Sequence, residues 1–135
     1  MASAPRLPAV RVLAPDALHL TATDFAALGT PRAPSGTRAA VIERCRHMVA
    51  TAGGRPVGIA AFEVEQDIVR VHELTAVDCA PDTIDALVTA VELACLAAGA
   101  SRIFISAVAS CPAELLEVHG YRASAGGRWL EKVVP

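Results

Sequence analysis

Lysine is almost missing from this chain: Lys132 stands alone against eleven arginines, and those are scattered rather than clustered. With a net charge of −2, no polybasic surface is left to meet a phosphate backbone or an anionic lipid, which argues against nucleic acid and membrane as partners. Long apolar runs are also scarce. The longest, Ala86 to Ala100, contains Glu92 and as a helix would span only about 22 Å, too short for a bilayer. The opening MASAPRLPAVRVLAP carries prolines and arginines where a signal peptide needs an apolar stretch. A soluble, cytoplasmic protein is the expectation. The four cysteines, Cys45, Cys79, Cys95 and Cys111, form no CxxC pair and have no nearby histidine at ligand spacing, so reduced thiols and no metal are expected.

What is present is hydrophobic. At 135 residues and 53% apolar, the chain is long enough to bury a core as one domain, residues 9–135, behind a loose tail over residues 1–8. Val10 to Leu13 reads as a short strand. Pro15 suits the first turn of a helix running to about Leu28. The Gly-, Pro- and Ser-rich segment Gly29 to Thr37 reads as a loop, and Arg38 to Arg46 as a second short helix. Two strands, HMVATA and RPVGIAAFEV, flank Gly53-Gly54, a two-residue hairpin signal because both turn positions need positive φ. Glu65-Gln66-Asp67 then turns into a further strand, Ile68 to Val77. On that strand, alternation places Val69, Val71, Glu73, Thr75 and Val77 on one face, with Arg70 and His72 on the other.

Pro81 and Asp82 begin a helix whose stripe of Ile84, Leu87, Val88, Val91 and Cys95 has helical spacing. Its only polar line is Asp85, Thr89 and Glu92. A helix this apolar is expected to be covered on more than one side. Arg102 to Ser106 reads as a buried strand, parallel to Ile68–Val77 because a helical crossover separates the two. Pro112 opens a last helix capped by Gly120, and a hairpin around Gly126-Gly127 closes the chain. Between Val71 and Ala98 there is no Gly, Lys or Arg.

This order of elements resembles the GCN5-related N-acetyltransferase (GNAT) superfamily over nearly the whole chain. The segment Leu115 to Tyr121, LLEVHGY, is similar to the family's Tyr-x-x-x-Gly-Phe ending, with Gly120 and Tyr121 in the Gly-aromatic places. The resemblance implies an α/β (α+β) fold: a mixed, mostly antiparallel sheet flanked by helices, whose fourth and fifth strands are parallel and splay apart. Val77, Asp78 and Cys79 would then end the fourth strand at the mouth of the cleft, with Ser106 and Ala107 across from them. The resemblance also implies a general base near Glu73 and an acceptor-reading loop at Arg32 and Arg38.

Two family features are missing. Members that hold acetyl-CoA carry Arg/Gln-x-x-Gly-x-Gly/Ala before the third helix, where glycines let the backbone approach the pyrophosphate. Here that piece is CAPDTID, without glycine or base and with Asp78, Asp82 and Asp85 nearby. A carboxylate about 5 Å from a phosphate charge costs about 3 kcal/mol at an effective dielectric of ~20. Second, Leu116 occupies the place of the family's general-acid tyrosine.

The sequence therefore favours a divergent, non-catalytic module that binds a small molecule or a protein, with acetyl-CoA disfavoured as cofactor and a homodimer as the expected assembly. The alternative is an acyl-CoA-dependent N-acetyltransferase with Glu73 as base. A STAS-like regulatory domain is a more distant reading, against which the three antiparallel strands argue. His72 and His119 are read as structural, His119 as a helix-end cation. Trp129 and Tyr121 are read as core or dimer contacts.

Overall fold

A computed structural model describes residues 10–13, 45–107, 109 and 111–134. Its strands are β1 (Val10–Leu13), β2 (Arg46–Ala52), β3 (Arg55–Glu65), β4 (Ile68–Ala76), β5 (Arg102–Ser106), β6 (Arg122–Ala123) and β7 (Trp129–Val133), and its helices are α1 (Pro81–Ala97) and α2 (Ala113–Glu117). The tail over residues 1–8, the helix expected from Pro15, and the loop carrying Arg32 and Arg38 lie outside the described residues. So does most of the helix expected to end at Arg46, which instead opens β2.

The strands form one sheet in the order β1-β2-β3-β4-β5-β7-β6. Every neighbouring pair is antiparallel except β4 and β5, which run parallel with α1 as their crossover. This is the mixed, mostly antiparallel sheet that the element order implies. Gly53 and Gly54 both take positive φ, 59° and 77°, and close the β2–β3 hairpin as their lack of a Cβ allows.

Helix α1 lies on one face of the sheet. Its buried side chains, Thr83, Ile84, Leu87, Val88, Val91 and Cys95, contain the whole stripe read from the sequence. All but Thr83 join Ala60, Phe62, Val69, Val71, Leu74 and Ile103 in the main core. Each large apolar side chain buried this way contributes about 1.5–3 kcal/mol. The fit is tightest at Gly58, where an added Cβ would lie 2.7 Å from Thr83 Cγ2, 2.9 Å from the Thr75 carbonyl oxygen and 3.0 Å from Leu87 Cδ1. The other face carries a smaller cluster of Cys45, Val49, Ile59 and Ala61, with Val77 against it.

The polar line of α1 is a seam at its two ends, with Asp85 and Thr89 exposed and Glu92 half-buried. Asp85 Oδ1 lies 2.6 Å from His119 Nε2, and Glu92 accepts hydrogen bonds from Lys132 Nζ at 2.6 Å and Tyr121 Oη at 3.4 Å. The outer surface of α1 leaves Leu93 and Leu96 62% and 46% exposed, so the second cover expected for this helix is not supplied by the described residues. No helix among them is long and apolar enough to cross a membrane.

Candidate functional site

The parallel ladder between β4 and β5 ends at Val71 and Ile105. Past that point β4 continues to Ala76 along β3 alone, while β5 stops at Ser106. The pairing thus ends midway along β4, as the expected splay requires. The reason is local. Ala61 pairs with Glu73 but Phe62 pairs with Val71, so His72 is an extra residue in β4. Such a bulge bends its strand and increases its twist.

The bulge also changes which face each side chain takes. Residues opposite one another across a ladder share a face. Val71 lies opposite Phe62 in the main core, whereas Glu73 lies opposite Ala61 in the smaller cluster. Alternation along the sequence groups Glu73 with Val69 and Val71. With His72 inserted, Glu73 and Thr75 instead face away from α1, and Leu74 replaces Glu73 beneath the helix. Glu73 is only 1% exposed. Its Oε1 accepts a hydrogen bond from the Leu74 amide at 3.0 Å, which satisfies part of a buried carboxylate.

Val77, Asp78 and Cys79 do not end the strand. β4 stops at Ala76, and these three form a single 3-10 turn in which Asp78 and Cys79 have φ of 57° and 50°. Aspartate visits this left-handed region with little penalty. Pro81 follows at the first position of α1, where its missing N–H costs nothing and its fixed φ suits the helix. Asp78 and Asp82 are both exposed here, and no basic side chain stands in the turn or in the first turn of α1. Asp85 belongs to the seam with His119 rather than to this end of the site.

Across the opening, Ser106 is half-buried and pairs with Trp129 of β7, and the Ala107 amide donates to the Arg128 carbonyl at 3.0 Å. Cys111 lies buried close enough to Cys79, Glu73 and Glu114 to feel their charge. Burial first, and then these neighbours, push its thiol up to about 12. A thiol held this high stays protonated near neutrality and is a poor nucleophile. Leu116 is completely buried in the main core. Its carbonyl accepts the Tyr121 amide at 3.2 Å while the Gly120 amide donates to Glu117, a Schellman closure that the positive φ of Gly120 permits. Tyr121 itself is core, held against Glu92, and burial raises its hydroxyl well above the usual tyrosine range.

A group that spacing in the sequence does not reveal lies on the face away from α1. Donor atoms of Cys45, Glu63 and His72 all lie within 4.8 Å of one another. They come from the start of β2, from β3 and from the bulge of β4, so no linear motif links them.

No protein-family model matches this sequence, and no curated protein matches it. Solved structures do match. The GNAT family N-acetyltransferase YhbS from Escherichia coli, in complex with CoA, aligns over 100% of this chain and 86% of its own with a TM-score of 0.70 at 17% identity. The ribosomal-protein-S18-alanine N-acetyltransferase from Escherichia coli aligns over 90% of this chain and 89% of its own, with a TM-score of 0.62 at 16% identity. N-acetylglutamate synthase from Neisseria gonorrhoeae, complexed with coenzyme A and L-arginine, aligns over 94% of this chain but 34% of its own, with a TM-score of 0.67 at 15% identity. The chain has the fold of the GNAT N-acetyltransferases.

Proposed function

We propose that this chain is a GNAT-fold binding module that does not transfer acetyl groups. The observation that carries this reading is the turn between β4 and α1. There a CoA pyrophosphate would need glycine amides and a cation, and the turn offers Asp78, Cys79 and Asp82 instead. The Ala80 carbonyl already takes the Thr83 and Ile84 amides at 3.1 Å, leaving few helix-start donors for an anion. Leu116 supports the same reading, since a buried leucine has no proton for a leaving thiolate. In place of chemistry, the end of the β4–β5 pairing, near Val77, Asp78, Cys79 and Ser106, would take a small molecule or a peptide. The exposed Leu93 and Leu96 on α1 favour self-association as the further expectation, which sedimentation of the purified chain tests.

Glu73 supports the second reading, an acyl-CoA-dependent N-acetyltransferase. A carboxylate beside the point where the β4–β5 pairing ends would serve as the base for an acceptor amine. Calorimetric titration with acetyl-CoA and a desulfo-CoA control separates the two. Absence of binding at about millimolar ligand, a free energy near −4 kcal/mol, is the expected result. Micromolar binding would overturn the binding-module reading, and loss of turnover in Glu73→Gln would then establish the base.

A further inference from the structure

We propose that Cys45, Glu63 and His72 form a site for a divalent cation of the zinc class on the sheet face opposite α1. The strand register assembles it. Arg46 pairs with Phe62, so the preceding Cys45 comes level with Glu63 across the β2–β3 ladder. Glu63 in turn pairs with Arg70, and the inserted His72 stands beside that rung on the same face, away from the main core. A thiol, a carboxylate and an imidazole from three neighbouring strands thereby bring their donor atoms within 4.8 Å of one another.

The chemistry of the donor set selects the ion. Sulfur with imidazole nitrogen suits zinc and its borderline neighbours, whereas magnesium and calcium take oxygen ligands. Ligand bonds of about 2.0–2.3 Å from one tetrahedral centre set donor atoms roughly 3.3–3.8 Å apart, inside the 4.8 Å span, with the Glu63–His72 pair opening from 2.6 Å. His72 Nε2 and Glu63 Oε1 already lie 2.6 Å apart, and the cation would draw both together with the Cys45 thiolate. Burial is graded in the same sense. Cys45 is 8% exposed and closes the inner side, while the Glu63 side chain is 37% exposed and leaves an approach from water. The Trp129 ring meets His72 edge-on, with centroids 5.7 Å apart and planes at 75°, and so holds the imidazole orientation. Three protein ligands leave a fourth position for water or an incoming ligand.

The test uses the full, untagged chain, stripped with EDTA and titrated with Zn²⁺ against a chromophoric chelator, and separately with Co²⁺. Uptake of about one Zn²⁺ per chain is expected, together with a thiolate-to-cobalt charge-transfer absorption. Cys45→Ser should abolish that absorption. His72→Gln and Glu63→Gln should each weaken Zn²⁺ by more than about tenfold, since a lost ligand costs at least as much as a lost supporting contact. Circular dichroism confirms that each variant is folded. No stoichiometric uptake by the unaltered chain would overturn the proposal without any variant. So would a Co²⁺ spectrum lacking the thiolate band, or uptake that folded Cys45→Ser and His72→Gln leave unchanged, which would place the ion on other thiols.

Discussion

Glu92 and Lys132 are 40 residues apart in sequence, yet Lys132 Nζ donates to Glu92 Oε1 at 2.6 Å. The same carboxylate accepts the Tyr121 hydroxyl, and Lys132 sits 5.6 Å from the centroid of the Tyr121 ring. Both charged side chains are mostly buried, at 26% and 21% exposure, so the pair is screened less than a surface one. Removing one partner leaves the other charge beside an apolar core, the costly half of burying an ion pair. Lys132→Met is expected to lower stability by about 1–3 kcal/mol, and Lys132→Met with Glu92→Leu by less than the two single changes added together. Urea unfolding of the double-mutant cycle checks it.

Gly58 is expected to tolerate no side chain. Gly58→Ala would press a methyl against Thr83 Cγ2, the Leu87 side chain and the Thr75 carbonyl, lowering stability by about 1–3 kcal/mol. Adding Thr83→Ser deletes the nearest methyl but leaves the carbonyl at 2.9 Å. Partial recovery is therefore the expected outcome, and full recovery would mean that the backbone yields.

Alkaline pH should unfold this chain early. Cys111 is raised from 9.0 to about 12 in the folded state, and Tyr121 is raised above its ordinary 10.0. In that window the unfolded chain releases protons that the native state keeps. Stability is full below about pH 9 and falls as pH climbs, by up to about 1.4 kcal/mol per pH unit for each group. Cys111→Ala should flatten the decline between pH 9 and 12, measured by urea midpoints across pH.

Helix α1 begins without a side-chain cap, since Ala80 holds the N-cap position in extended backbone. Ala80→Ser should supply the missing acceptor and raise stability by about 1 kcal/mol, read as a higher thermal midpoint. Because the change adds no charge and no glycine, acetyl-CoA binding should stay as it is in the parent chain.

The apolar stripe of α1 and the Gly53-Gly54 hairpin were legible because each depends on residues close in sequence. The parallel β4–β5 pair was legible because the crossover leaves one handed solution. Glu73 was harder. Period-two alternation runs unbroken from Val69 to Val77 in the sequence, and only the Ala61–Glu73 and Phe62–Val71 rungs reveal that His72 shifts the phase. The resemblance puts Val77, Asp78 and Cys79 at the end of the fourth strand, yet the turn into α1 takes Asp78 and Cys79 to positive φ. Asp85 read as part of an acidic entrance, and its partner His119 lies 34 residues away. The group of Cys45, Glu63 and His72 left no local trace, since three strands and a bulge are needed to assemble it.

The bulge at His72 makes the gap between β4 and β5 a matter of counting. Substitutions along β4 alter what lines the opening but leave its width alone. Deleting His72 would remove the bulge and return β4 to plain alternation, with Glu73 still opposite Ala61 on the face away from α1. The course of this strand is set by insertion and deletion, and its surface is refined only afterwards by exchange of side chains.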